Sequence, residues 1–393
     1  LTLEEAKQQV IGEVDARREE LAGLAQRLFA HPEVGFQEEQ ASTWLCEYLE
    51  GCGFQVERGI CGLPTAFRAA YGRGQPTIAF LAEYDALPGL GHGCGHNLIA
   101  ASAVGAGVAV RGTVDRWGGR VLVMGTPSEE ALGGKGLMVQ GGAFEGVDAA
   151  MMVHPGVRDA LANASLACAT LDVEFLGRPA HAAVRPEEGI NALEAMVLAF
   201  QAINSLRQHI RDSDRVHGII THGGEAANVV PQLCAGKFLV RAADEEYLEG
   251  LKERVLNCFR GAAIVSGARL NHRWGEVQYA PMRPNLALGQ VFADNLSTLG
   301  RPLPAPNLRR PFGSTDMGNV SQVVPSIHPS IAITTPDVPP HSREFAQAAS
   351  SPQGEEAMLL GAKGMAMTAV DMLADPGLLE RVRQEFAMAG EQA

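Results

Sequence analysis

The chain opens on a capping-box pattern, Thr2-Leu-Glu-Glu5, followed by apolar residues at helical spacing. This predicts one long amphipathic helix running to about residue 30. A second helix, roughly 38–51, runs into Gly51-Cys-Gly53, and short β-like runs follow at 54–56, 65–70 and 77–81. The stretch 98–110, rich in Ala and Gly, reads as a buried helix. Apolar runs at 120–124 and 149–153, bounded by Gly and Pro, suit interior strands of a mostly parallel sheet. Alternation of this kind up to about residue 164 argues for an α/β layered domain.

The pattern then changes. Strands at 169–176, 218–221 and 234–240 and helices at 186–210 and 245–266 give a strand-helix-strand-strand-helix-strand order, which reads as a separate α+β, ferredoxin-like module. After Pro284 the alternation returns and ends in an Ala/Met-rich helix at 352–373. The expected architecture is a three-layer αβα catalytic domain, 1–165 and 282–393, interrupted by an inserted α+β module, 166–281. A chain of 393 residues is long enough for two cores.

Charge and cysteine content narrow the class. Thirty-two basic against 45 acidic residues leave a net charge of −13, which disfavours a broad basic face for nucleic acid. Seven irregularly spaced cysteines do not form a disulfide framework, so a reducing cytoplasm is expected. The opening Leu-Thr-Leu-Glu-Glu has neither the basic nor the apolar region of a signal peptide. The apolar stretch 98–110 is shorter than the ~20 residues a membrane span needs, so no membrane is expected.

Four polar clusters follow buried strands. Glu83-Tyr-Asp85-Ala-Leu-Pro leads into Gly91-His-Gly-Cys94-Gly-His96-Asn97, at the strand end where open α/β sheets build their sites. Cys94 and His96 in a glycine-rich turn offer a thiolate and an imidazole, a pair suited to zinc or a neighbouring transition metal. Asp85 could accept the N–H of a ligating histidine. By itself, Cys-x-His is a common chance pairing. Glu129-Glu130 ends Gly125-Thr-Pro-Ser; one carboxylate could bind metal while the other faces a water, although such a pair is more often solvated. His154-Pro155 and Pro339-Pro-His341-Ser342 could equally be a satisfied core histidine and a surface-loop histidine. Together they place Cys, His, Glu, His and His at strand ends of one domain. No Gly-x-Ser-x-Gly elbow, Walker A loop, Gly-x-Gly-x-x-Gly fingerprint or His-Glu-x-x-His is present in the sequence.

These strings resemble the metal-dependent aminoacylase and carboxypeptidase family. The resemblance rests on His31-Pro-Glu-Val-Gly-Phe36, Ala82-Glu-Tyr-Asp-Ala-Leu-Pro88, residues 91–100 and 125–136, Gly177-Arg-Pro-Ala-His181-Ala-Ala, Asn228-Val-Val-Pro231 and Gly313-Ser-Thr-Asp316. It covers nearly the whole chain, in order. The branch looks like that of indole-acetyl-amino-acid hydrolases, p-aminobenzoyl-glutamate hydrolases and β-alanyl-lysine-type dipeptidases. The resemblance implies two divalent transition-metal ions, zinc or manganese foremost and cobalt or nickel as alternatives. Cys94, His96, Glu130, His154 and His341 would be their ligands, with Cys94 bridging. It implies Glu129 as general base, a dimerisation or lid role for the inserted module, and a homodimer or higher homo-oligomer. It also implies that His181 reaches the partner's site to stabilise an oxyanion, and that Asn228, Arg241 and Asp316 contact a small, carboxylate-bearing amide substrate. Read without it, His181 could be a surface histidine, Asn228 a turn residue, and Arg241 the partner of Asp244. Asn97 stands where several relatives carry Asp, which bears on the preferred metal.

The expected reaction is hydrolysis of the amide bond of an N-acyl amino acid or dipeptide by a metal-activated water. The same site acting on another C–N bond, such as in aryl-amine deamination, and a non-catalytic binding protein that keeps the fold are the alternatives.

Overall fold

In the computed structural model, which describes residues 2–131, 133–162, 164–308 and 313–391, the capping box forms. Thr2 Oγ1 accepts the Glu5 N–H and the Thr2 N–H donates to Glu5 Oε2, starting α1 (Leu3–Ala16). The expected single helix is two. At Arg17 the backbone leaves helical angles (φ −103°, ψ 12°) and α2 (Arg18–Ala30) begins. No Gly or Pro marks the break. The apolar spacing runs on through it, from Ala6, Val10 and Val14 to Leu21, Leu24 and Leu28, so the pattern carries no sign of it.

The chain continues through α3 (Glu39–Gly51), β1 (Gln55–Arg58), β2 (Phe67–Arg73), β3 (Thr77–Glu83), α4 (His96–Trp117), β4 (Gly119–Thr126), α5 (Gly134–Gln140), β5 (Ala149–Met151) and β6 (His154–Gly156). Then come β7 (Ala167–Leu176), α6 (Ala192–Leu206), β8 (Arg215–His222), β9 (Leu233–Ala242), α7 (Glu245–Ser266) and β10 (Arg269–Trp274). The last stretch is α8 (Leu286–Thr298), α9 (Met317–Val323), β11 (Ser326–Ile327), β12 (Ser330–Ala332), α10 (Arg343–Ala348), α11 (Pro352–Ala374) and α12 (Pro376–Glu391). Two compact units result. The first holds the described residues up to Ala164, those of 282–308 and those from Asp316 on. The second holds Ser165–Pro281 and 313–315.

In the first unit a six-stranded sheet has the order β1-β2-β4-β3-β5-β11. β4, β3, β5 and β11 are parallel; β2 joins β4, and β1 joins β2, antiparallel, so the sheet is mixed. Its strand residues alternate between two apolar cores. Ile78, Phe80, Val121 and Val123 face the core built by α1, α2, α4, α8 and α11. Ala79, Leu81, Leu122 and Met124 face the one that includes Met138 of α5 and Met317 and Val320 of α9. Helices therefore cover both faces, giving three layers. α4 comes close to β4 at Gly107, where a Cβ would lie 2.4 Å from Val123 Cγ2. By length and composition α4 and α11 could cross a membrane; here they are mostly buried core helices packed on each other.

The second unit is a four-stranded antiparallel sheet, β10-β7-β9-β8, packed against α6 and α7 around Phe175, Phe238 and Phe259. Numbered within the unit, this is the 4-1-3-2 strand order of a ferredoxin-like fold. Asn191 accepts the Glu194 N–H and Asp244 the Tyr247 N–H, so each helix starts on a side-chain cap. The Asn191 cap shortens the helix expected at 186–210. Strand β8 is one of the sheet's two edges, and its Ile219 and Ile220 are exposed.

Candidate metal centre

The C-terminal ends of β3, β4 and β5 and the turns that follow them carry an unusual density of buried polar groups. Leaving β3, the chain presents Glu83 and Asp85 and then turns through glycines to Cys94 and His96. Gly95 has φ 80°, and a Cβ there would lie 2.5 Å from the Pro155 ring, so only glycine brings His96 in at the start of α4. His96 Nδ1 lies 2.9 Å from both Asp85 O and Asp85 Oδ1. With Nδ1 donating there, Nε2 is left for the centre. It lies 2.9 Å from Glu83 Oε1 and 3.8 Å from Glu130 Oε1. All three atoms are buried, and none has a hydrogen-bond partner among the described residues. In the neutral ring they are acceptors converging with no donor among them. A cation resolves that conflict. Burial disfavours a charged His96, but Glu83 and Asp85 more than offset this and hold its imidazole well above the ordinary value. A place that so favours positive charge fits a metal ion.

From β4 the chain enters Pro127-Ser128-Glu129-Glu130. Ser128 has φ 58°, and the Glu130 N–H donates to Asp85 Oδ2 at 2.9 Å, so Asp85 ties His96 and Glu130 together. After β5, His154 donates through Nδ1 to Pro155 O at 2.6 Å, which leaves Nε2 3.6 Å from Cys94 Sγ. His341, also at positive φ (61°), donates its backbone N–H to Gly93 O and sets Nε2 3.5 Å from Glu130 Oε1. Two groups emerge: Cys94, His96 and His154, and Cys94, Glu130 and His341, the ligand atoms of each lying within 4.8 Å of one another. Cys94 is common to both, the position a bridging thiolate would hold. Burial pushes its thiol up; a bound cation would reverse that. Glu129 lies in a third group with Glu83 and His96. Burial, then the charges of Glu83, Asp316 and Glu130, hold its carboxyl well above the usual range, the direction a general base needs.

The structure thus brings Asp85, Cys94, His96, Glu129, Glu130, His154 and His341 together. Asp316, read from the sequence as a substrate contact, is instead fully buried, with Oδ2 accepting the Lys135 N–H (2.9 Å) and Oδ1 accepting from Lys135 Nζ (2.7 Å). The sequence names Glu83 in the first cluster without giving it a role, and it passes over Lys135. Lys135 Nζ bonds Glu83 Oε2, and both residues are fully buried. Burial disfavours the charged lysine, but Asp316 and Glu83 more than reverse this. A lysine inside Gly133-Gly-Lys-Gly136, next to apolar Leu-Met-Val, was the available sign. His328 was missed as well. Its ring lies 5.5 Å from that of His154, its Nε2 is buried without a hydrogen-bond partner among the described residues, and burial lowers its pKa to about 3. Its sign was an echo: both His154-Pro155 and His328-Pro329 follow a short strand. Asn97 is buried and donates to Ala25 O and Ala349 O.

The other candidates belong to the second unit. His181 is exposed; its Nδ1 accepts the Ala183 N–H at 3.3 Å, and it forms an isolated bridge with Val229. Exposed Asn228 accepts the Ala182 N–H through its backbone carbonyl at 3.0 Å, so these two residues are neighbours. Arg241, on β9 opposite Cys168, has a buried Nε without a hydrogen-bond partner among the described residues. It is not held by Asp244, whose carboxylate is taken by Arg211 and the Tyr247 N–H.

Comparison with known proteins adds three relatives. The pattern of a peptidase dimerisation domain matches residues 163–264. An Xaa-Arg dipeptidase of Mus musculus is 37% identical across 98% of this chain and 93% of its own length. One of the two subunits of the p-aminobenzoyl-glutamate hydrolase of Escherichia coli K12 is 30% identical across 95% of this chain and 93% of its own. Among solved structures, a dinuclear metal-binding peptidase of the M20 family from Bacillus subtilis superposes with a TM-score of 0.66 at 20% identity, covering 92% of this chain and 99% of that one.

Proposed function

The chain belongs to the M20 peptidase family and is a metal-dependent amide-bond hydrolase, and we propose that it cleaves dipeptides or N-acyl amino acids that carry a free carboxylate, using two divalent ions. The observation that carries this reading is Cys94, shared between two three-residue ligand groups with Glu129 beside them. Cys94, His96 and His154 would hold one ion, and Cys94, Glu130 and His341 the other. A mixed thiolate, imidazole and carboxylate set suits zinc or manganese, with cobalt or nickel possible. Bound there, such ions supply Lewis acidity and make a water more acidic.

The chain's own groups do the rest. Glu129 accepts the proton of the attacking water and passes it to the leaving nitrogen, a double duty helped by the upward push on its carboxyl. Asp85 fixes the tautomer of His96, as outer partners of ligating histidines do. Arg241 and Asn228 would take the substrate carboxylate; the unengaged Arg241 Nε supports this. The first substrates to try are an aminoacyl-arginine dipeptide and p-aminobenzoyl-glutamate, the chemistries named for the two relatives.

The match to a dimerisation domain and the exposed β8 edge support a homodimer. Ile219 and Ile220, with Val197 and Leu198 of α6, would be covered by a second copy, and His181 would serve that copy's site. Seven free cysteines support a reducing, cytoplasmic setting. Elemental analysis combined with an amine-release assay tests the whole. The expected result is about two transition-metal ions per chain and chelator-sensitive release of the amino acid. Reconstituted protein that binds no metal and releases no amine would sink it.

A further inference from the structure

We propose that Glu38, on the segment joining α2 to α3, is a positioning residue that holds Ser128 and thereby aims Glu129 and Glu130 into the centre; this rests on the reading of Glu129 as base. The segment touches both turns that build the site. The Ala86 N–H donates to Glu33 O at 2.8 Å, and Val34 bridges Ala86, the residue after Asp85. The Glu33 carboxylate accepts the Gln40 N–H (3.2 Å) and the Ala41 N–H (2.9 Å), closing the segment on the first turn of α3. Glu38 faces the other turn. Its carboxylate is fully buried, with Oε1 accepting the Ser128 N–H at 2.8 Å and Oε2 accepting from Thr65 Oγ1 at 3.0 Å.

Ser128 needs holding. Its φ of 58° lies in the left-handed region that a serine rarely enters. Its carbonyl accepts from the Gly133 N–H (2.9 Å) and the Gly134 N–H (3.2 Å), so Glu38 supplies the grip at the other end of the residue. Gly35 permits the approach: a Cβ there would lie 2.3 Å from Ser128 Oγ and 3.0 Å from Ser128 Cα. A carboxylate taken wholly out of water is costly unless its bonds are made, and here a bond goes to the residue before Glu129. Displacement of a catalytic group by an ångström is enough to depress turnover without removing the group.

The test compares Glu38→Ala with Glu38→Gln in full-length, metal-reconstituted protein, with Glu129→Gln alongside. Turnover of whichever of the two substrates above is accepted, KM and metal content per chain are read together. Glu38→Ala should lose about 10²-fold in kcat, with KM and metal content within about twofold of the parent. Glu38→Gln keeps an acceptor for the Ser128 N–H and lets the Thr65 hydroxyl reverse, so it should recover most of kcat. An Ala variant with unchanged kcat, or with its loss wholly explained by missing metal, overturns the proposal. Equal loss in the Gln variant also overturns it. If the Ala variant fails to fold, Gly35→Ala, which leaves Glu38 in place but pushes on Ser128, must show the same kcat-without-KM loss or the proposal falls. Retained turnover in Glu129→Gln would instead sink the base assignment.

Discussion

The two units break the rule of apolar inside and polar outside in opposite ways. At the strand ends of the first, Glu38, Glu83, Asp85, His96, Lys135 and Asp316 are almost wholly buried. On the β8 edge of the second, Ile219 is 64% and Ile220 40% exposed. Buried charge and exposed apolar surface are the informative departures, because each has a free-energy cost that something must offset. Lysine, hydrogen bonds and a site for cations offset the first. A second copy of the chain would offset the other. The comparison teaches that the first unit keeps its unsatisfied groups inside, where only something small such as an ion would reach them, whereas the second keeps them outside, where only a large partner would cover them.

The most severe break is Glu129→Gln. Turnover should fall by about 10²–10⁴-fold while elemental analysis finds the metal still bound. Undiminished turnover would mean that the buried carboxylates serve packing and not chemistry. Next is Lys135→Met, which leaves Glu83 and Asp316 facing each other without their cation. Urea denaturation should register a loss of about 3–5 kcal/mol, the usual result of removing one partner of a buried ion pair. A loss under ~1 kcal/mol would show that water reaches the cluster.

The legible parts of the fold were those with local punctuation. The bounds of α7 stand in the sequence because Asp244 caps its start and Gly267, at φ 75°, ends it. The break at Arg17 has no such mark. In the centre, Cys94, His96, Glu129, Glu130, His154 and His341 could be picked out because each follows an apolar run that becomes a strand or precedes one that becomes a helix. Lys135 could not, because what makes it part of the site is a contact across 52 residues to Glu83, a residue the sequence placed in the first cluster without a role. Asp316 had its substrate contact from the resemblance alone, and only the fold shows both its oxygens bound by Lys135. Glu38 looked like one more acid at a helix start until Ser128 came to meet it.

Glu38 also sharpens the comparison through pH. Burial is the main cause that raises its carboxyl from 4.5 to about 7, and the charge of Asp85 adds to it. The folded chain therefore holds this proton more tightly than the unfolded chain. Stability contributed by the neutral form is fully present below pH 4.5 and is lost as the pH rises through 7. The loss is at most about 3 kcal/mol. Glu38→Gln should flatten the stability profile over that window. Profiles that run parallel for parent and variant would refute the assignment. The mildest intervention concerns the other unit. Ile220→Glu should convert dimer to monomer in sedimentation velocity while changing intrinsic unit stability by no more than about 0.5 kcal/mol, as for an exposed position. A variant that stays dimeric would move the interface away from β8.

One pairing in the first sheet bears on how the protein is made. Met151 of β5 lies beside Ile327 of β11, with the whole second unit between them in sequence. On the ribosome, β5 must wait with a bare edge until the whole second unit and β11 have emerged, whereas the second unit's four strands pair within one nearly continuous stretch. Long-range closure of this kind is slow and exposes strand edges to wrong partners. His341 arrives later still, so the cluster it forms with Cys94 and Glu130 can be completed only after β11 and β12 have emerged.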